Sequence, residues 1–121
     1  QRHDEVRLDA ATCDCCQTGA AATADGSLIA YRDRSEGEIR DISILRHDGS
    51  RWLPGKLLHE DGWVMPACPV NGPAVDARDD NVLVDALWLN AGAQAAARTF
   101  FDEVGGLRFF SNFSFKASKS A

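Results

Sequence analysis

Between residues 25 and 52 the chain alternates apolar and polar positions in two short runs separated by a charged stretch. In residues 27–33, Leu28, Ala30 and Arg32 fall on one side of an extended chain and Ile29, Tyr31 and Asp33 on the other, because side chains alternate along a strand. Residues 34–38 read as a charged loop around Gly37. Residues 39–46 resume the strand pattern, with Ile42, Ile44 and Leu45 for burial. Asp25-Gly26 opens the stretch with a turn signal. Asp48-Gly49 closes it with a pair that tolerates the positive φ of short hairpin loops. Trp52 follows as an aromatic anchor.

The same reading extends in both directions. Residues 18–23 are alanine-rich and could be helical on propensity, but the run is short and bounded by Gly19 and Asp25-Gly26. Residues 53–58 predict an outer strand, interrupted by Pro54 and Gly55 where no partner needs the missing N–H. Residues 59–72 predict a connector carrying Trp63, Met65 and Cys68. Residues 73–77, 81–89, 94–101 and 107–112 read as four further strands, and 117–121 as a fraying tail. Residues 91–104 carry competing signals. Alanine content, Asn90 as N-cap and Gly105 as a stop favour a helix, whereas Thr99-Phe100-Phe101 and the lack of one apolar face favour a strand. The strand is the expectation, and an α+β fold with a helix near 91–104 the alternative. Residues 1–11 form a polar leader with an edge strand expected near Val6-Arg7-Leu8. The leader has no signal-peptide h-region, such a peptide having been removed or never encoded.

A loose internal repeat divides the chain. ATADGSLIAYRD has a counterpart in DARDDNVLVDALW, so that Leu28 maps on Val82, 54 residues later. The expected organisation is one small domain of 121 residues, with a first unit over 12–58, a connector over 59–72, a second unit over 73–115 and a tail over 116–121. An apolar content of 45% suits a globular chain, and no apolar run is long enough to span a bilayer. The net charge of −5 disfavours nucleic acid as a partner, since that usually demands a basic patch.

Residues 25–52, with TCDCCQTG at 12–19 and DGW…CPVNGPA at 61–74, resemble a blade of a sialidase-like β-propeller, in a bacterial subgroup that carries a CxCC motif. The Asp box of that family reads S-x-D-x-G-x-T-W. Residues 45–52, LRHDGSRW, lack its serine and are one residue short between Asp48 and Trp52. A second, degenerate box lies in FDEVGGLRF, with Asp102, Gly105-Gly106 and Phe109 in the roles of Asp48, Gly49 and Trp52. The resemblance covers residues 12–88 and is degenerate from 89 to about 109. It implies an all-β chain of antiparallel four-stranded sheets, equivalent to about two blades of a six-bladed propeller, and an exported protein. It also implies sialic acid or another acidic sugar as ligand. A period near ~50 residues lies near the upper end of blade lengths.

Carried over by position, the resemblance gives Arg32 or Arg34 the substrate carboxylate, which the arginine fork binds with two parallel hydrogen bonds. Glu38 or Asp41 would serve as the acid, with Arg40 beside them at the strand end. Trp63, in a loop, is the candidate for stacking on a sugar together with Arg34, while Trp52 and Trp88 read as packing. The alternative is a solvated loop whose charges form structural pairs at a blade end. Sialidases use a tyrosine nucleophile, and Tyr31, the single tyrosine, sits mid-strand in a position that reads as core. The function expected is therefore a non-catalytic sialidase-like module, structural or carbohydrate-binding, with no cofactor. A glycoside hydrolase completed by further blades is the alternative. Asp48, Gly49, Trp52, Asp102 and Gly105 are expected to hold hairpins together.

Cys13, Cys15, Cys16 and Cys68 admit three readings. Cys15 or Cys16 could pair with Cys68. The cluster could bind Zn or Cu(I) with His47 or His59, which would make the chain a thiol- or metal-binding protein. The thiols could also be buried and reduced. The exported context implied by the resemblance favours the disulfide and no metal. Two isolated blades would leave Ile29, Ile42, Ile44, Val82, Val84, Phe100 and Phe101 on open faces. A homo-oligomer, such as three copies closing a six-bladed ring, or a place in a larger propeller is therefore expected.

Overall fold

The computed structural model describes residues 5–79, 81–89, 94–103 and 106–116, and the described residues are all-β. The strands in chain order are β1 (Gly19–Ala22), β2 (Ser27–Arg32), β3 (Ile42–His47), β4 (Lys56–Leu57), β5 (Ala74–Arg78), β6 (Asn81–Leu89), β7 (Gln94–Glu103) and β8 (Gly106–Lys116). They form two four-stranded antiparallel meanders, β1-β2-β3-β4 and β5-β6-β7-β8. Residues 94–103 are strand, so the helical alternative near 91–104 does not hold there. Residues 91–93 and 104–105 lie outside the described residues, as does the expected tail at 117–121.

Turn chemistry sets the registers. Asp25-Gly26 joins β1 to β2, with the Thr23 amide donating to the Gly26 carbonyl at 2.9 Å. A Cβ on Gly26 would overlap the carbonyl of His47, so the close approach of this turn to the end of β3 requires glycine. In the β2–β3 pair Ala30 lies opposite Ile44 and Arg32 opposite Ile42.

Three boundaries differ from those the sequence predicts. β3 begins at Ile42 rather than 39, because residues 38–41 leave the regular ladder: the Asp41 and Ile39 carbonyls accept the Asp33 and Ser35 amides, both at 2.9 Å, while the other edge of this segment pairs with the connector. The Arg40 amide donates to the Trp63 carbonyl at 2.8 Å, and the Met65 amide to that of Glu38 at 2.9 Å. β4 shrinks to two residues around Pro54-Gly55, although Leu53 and Leu58 still donate to Arg46 and Ile42 on either side. Val6-Arg7-Leu8 is not a strand, since Arg7 turns back onto the carbonyls of Asp9 and Ala10.

The core lies between the two sheets. Leu28, Ala30, Ile42, Ile44 and Leu58 from the first unit pack with Val82, Val84 and Ala86 from β6, with Val75 and Ala77 at the margin. Leu28 and Val82, the pair related by the internal repeat, are both at most 1% exposed. Ile42, Ile44, Val82 and Val84 are thus covered within one chain. These four therefore do not form the open faces the sequence suggests, while the side chains of Phe100 and Phe101 lie outside the described residues. Ile29 is half-buried.

Full burial of a Leu side chain contributes about 1.5–3 kcal/mol, and its truncation adds the cost of a cavity. Leu28→Ala, at a fully buried position shared by both sheets, is expected to lower stability by about 2–5 kcal/mol in urea denaturation. A loss below about 1 kcal/mol would mean that the two sheets do not share this core.

Candidate functional site

Strand alternation carries Arg32 into the same buried row as Leu28 and Ala30, and the guanidinium emerges at the end of β2 with 3% of the residue exposed. Its Nε donates to the Asn71 carbonyl at 3.0 Å and its Nη1 to the Arg40 carbonyl at 2.7 Å. The guanidinium carbon lies 4.7 Å from the centroid of the Trp63 ring, a cation–π contact. Burial pushes its pKa down to about 10, and Asp41 and Asp61 oppose that shift, so Arg32 stays cationic at neutral pH.

Arg40 is equally buried and gives each side-chain nitrogen a partner. Nε donates to the Met65 carbonyl at 2.8 Å, Nη2 to Glu38 Oε2 at 3.0 Å and Nη1 to Cys13 Sγ at 3.2 Å. Asp41, 3% exposed, accepts the amides of Gly62 (2.8 Å) and Trp63 (2.9 Å), one on each carboxylate oxygen. Arg32, Arg40 and Asp41 therefore bind the connector to the strand ends rather than face solvent. Trp63, expected as a sugar contact, is half-buried beneath Arg32.

Arg34 and Glu38 lie outside this network's buried centre. They form a two-bond ion pair, Nε to Oε2 at 3.1 Å and Nη2 to Oε1 at 3.0 Å, with side chains 41% and 35% exposed. Gly37 and Glu38 both have positive φ, 78° and 60°. Glu38 is an unfavourable residue for that region, and its two arginine partners hold it there. Hydrogen bonds from Arg34 and Arg40 keep its carboxyl below the usual range.

A cleft of about 620 Å³ opens on the other face of β2, lined by Asp9, Tyr31, Asp33, Asp41, Ser43 and Glu60 among others. The ring of Tyr31 is buried, as its mid-strand place suggests, but its hydroxyl donates to Asp9 Oδ2 at 2.5 Å. Burial, then Asp9, pushes the phenol well above its ordinary pKa. Burial also raises the Asp33 carboxyl, helped by Asp9 and Asp41 and opposed by the Arg34 amide. Nothing local signals the Tyr31–Asp9 pair, because the residues are 22 apart and Asp9 sits in an irregular leader.

The cysteines form two disulfides, Cys13–Cys16 and Cys15–Cys68, with Cα separations of 5.5 and 6.1 Å. The tie from the cluster to Cys68 matches one of the expected pairings. Cys13–Cys16 was not among the readings. The cluster is fixed to β2 by the Cys13 amide, which donates to the Arg32 carbonyl at 2.9 Å, and by a bridge between Thr12 and Asp33.

At the far end of the first sheet, Asp48 caps its own hairpin. Its Oδ1 accepts the Ser50 and Arg51 amides and the Ser50 hydroxyl, each at 2.9 Å. Gly49 supplies φ +95°, and Trp52 packs edge-on against His47 with ring centroids 5.1 Å apart. These contacts hold the hairpin together. The second box falls at Asp102, in β7, where the backbone alone is described, and at Gly105, outside the described residues.

No protein-family model, curated protein or solved structure matches the chain.

Two outcomes test these assignments. Asp41→Ala strands two amides, each worth about 1–3 kcal/mol when left unpaired. It should lower stability and abolish hydrogen-exchange protection at Gly62 and Trp63 while sparing that of β2. Protection that survives would mean the carboxylate does not hold the connector. For Asp48, accepted amides lower the folded pKa to about 2 from an ordinary 3.8. Its contribution is then fully present above about pH 4 and lost as pH falls toward 2. The stability gap between the wild type and Asp48→Ala should close over that window, and a gap independent of pH would contradict the role.

Proposed function

We propose that this chain is a non-catalytic module of the sialidase-like kind, built as two blade-like sheets with a structural or carbohydrate-binding role. The observation that carries this reading is the commitment of Arg32, Arg40 and Asp41 to internal hydrogen bonds. Of the residues that the family resemblance assigns to carboxylate binding and acid chemistry, Arg32 and Asp41, with Arg40 beside them, have main-chain groups, Glu38 and Cys13 as partners. A substrate carboxylate would have to displace those bonds from side chains almost out of reach of water. Tyr31 supports the same reading, since its hydroxyl is bound to Asp9 and its pKa is raised, the opposite of what an activated phenolate needs.

The two meanders and the capped Asp48 hairpin support the blade-like part of the proposal. Two disulfides favour an exported protein, because such bonds persist in oxidising compartments. Closure of a ring takes typically ~4 to 8 blades, so further blades from copies of this chain or from another chain belong to the proposal. A second reading, a glycoside hydrolase completed by those blades, draws on the half-exposed Arg34–Glu38 pair, the part of the charged set that a substrate could meet.

The isolated chain should give no turnover of a fluorogenic sialoside above buffer. Turnover that disappears in Arg34→Ala or Glu38→Ala would overturn the non-catalytic reading and install the second one. Binding of immobilised glycans, sialylated or neutral, would separate a carbohydrate-binding role from a purely structural one.

A further inference from the structure

The sulfur cluster has an arrangement that two inert cross-links do not need. The Sγ atoms of Cys13, Cys15 and Cys16 all lie within 4.8 Å of one another. The two disulfides abut, with Cys13 Sγ and Cys15 Sγ 3.7 Å apart. Accessibility is graded along the set: Cys13 is buried, Cys15 and Cys16 are half-buried, and Cys68 is exposed. Nη1 of the buried Arg40 donates to Cys13 Sγ at 3.2 Å, which places a cation against the central sulfur.

We propose that these four cysteines form a thiol–disulfide exchange site whose substrate is an external dithiol, and that reduction moves the cluster's bridge from Cys13–Cys16 to Cys13–Cys15. The first step is attack of one thiolate of the dithiol on Cys68 Sγ, which belongs to the exposed residue of the set. A bond forms between the dithiol and Cys68, the Cys15–Cys68 bond breaks, and Cys15 leaves as a thiolate. In the second step Cys15 Sγ, freed from Cys68, must first turn to stand opposite Cys16 across Cys13 Sγ, because the Cys15 and Cys16 sulfurs start within 4.8 Å of each other, and it then attacks Cys13 Sγ. The Cys13–Cys15 bond forms, the Cys13–Cys16 bond breaks, and Cys16 leaves as a thiolate that takes a proton from water. In the third step the second thiol of the dithiol, after losing its proton to water, attacks its own mixed disulfide. The dithiol departs as a cyclic disulfide and Cys68 is left as a thiolate. Two electrons have passed from the dithiol to the protein, and one disulfide remains where there were two.

Exchange passes through a transition state with negative charge spread over three sulfurs in line. A fixed cation beside the central sulfur stabilises such charge most where water is excluded. Arg40 has that place against Cys13, and its other nitrogens, bound to Met65 and Glu38, keep it there. The product differs from the starting state in more than redox level. Cys68 becomes an exposed thiol able to attack a further disulfide, and the connector loses its covalent tie to the cluster.

The test is limited reduction of the full chain with one equivalent of dithiothreitol, followed by acid quench, maleimide labelling and peptide mapping. The two-electron-reduced chain should carry label at Cys16 and Cys68 and retain a Cys13–Cys15 bridge. Label at Cys15 and Cys68 with Cys13–Cys16 intact would overturn the proposal, as would label at Cys13 and Cys16 with Cys15–Cys68 intact. An even spread over all four residues would overturn it too. A Cys13→Ser/Cys16→Ser chain removes the acceptor bridge, so the same treatment should label Cys15 and Cys68. Failure of the dithiol to open the bridge in that variant would rule out Cys68 as the point of attack.

Discussion

The carboxylate of Asp41 is almost sealed from water and accepts two consecutive main-chain amides, those of Gly62 and Trp63. A buried carboxylate is tolerated only when it is hydrogen-bonded and charge-compensated. The amides meet the first condition, and Arg32, whose cationic form Asp41 favours, contributes to the second. Most of the irregular part of the molecule follows from this one placement. It fixes the first half of the connector beside residues 38–41, which brings Trp63 under the Arg32 guanidinium. Arg32 then reaches the Asn71 carbonyl, two residues before the buried Pro73 and the start of β5. The second sheet therefore takes its position from charges at the end of the first.

The same placement shapes the functional reading. A residue set that resembles a carboxylate-binding site in sequence becomes, once buried, the joint between two sheets. Among the described residues, accessible chemistry includes the Arg34–Glu38 pair on the loop, the cleft beside Tyr31, and the graded row of cysteines. The cleft walls hold Asp9, Asp33 and Glu60.

Alternation and turn chemistry made the regular structure legible. Leu28, Ala30 and Arg32 were placed on one face and are all buried, and Asp25-Gly26 and Asp48-Gly49 mark real turns. The repeat that maps Leu28 on Val82 anticipated two residues of one core, though not that their sheets would cover each other. What escaped was decided by contacts between distant segments. Residues 39–41 read as strand and do pair, on one side with Asp33 and Ser35 and on the other with the connector. Arg32 and Arg40 are ordinary charged residues in sequence, and nothing local shows that carbonyls 25 to 39 residues away will meet them. The bond from the cluster to Cys68 was one of the pairings the sequence allows, favoured by the exported context that the resemblance implies. The choice of Cys15 for it, and of Cys16 for Cys13, depends on how the segment lies against Arg32 and Arg40.

The core shared between the sheets bears on how the chain is made as well as on how it stands. Leu28, Ala30, Ile42 and Ile44 are buried by Val82, Val84 and Ala86, which a ribosome adds only after the first sheet and the connector are complete. During synthesis the first meander therefore carries an open apolar face through the whole interval between residues 58 and 82. A segment in that condition is where a nascent chain is most exposed to chaperones and to self-association. The charged joint at Asp41 needs nothing beyond residue 71, so it can form within that interval. It would hold the connector in place before the residues that close the core exist.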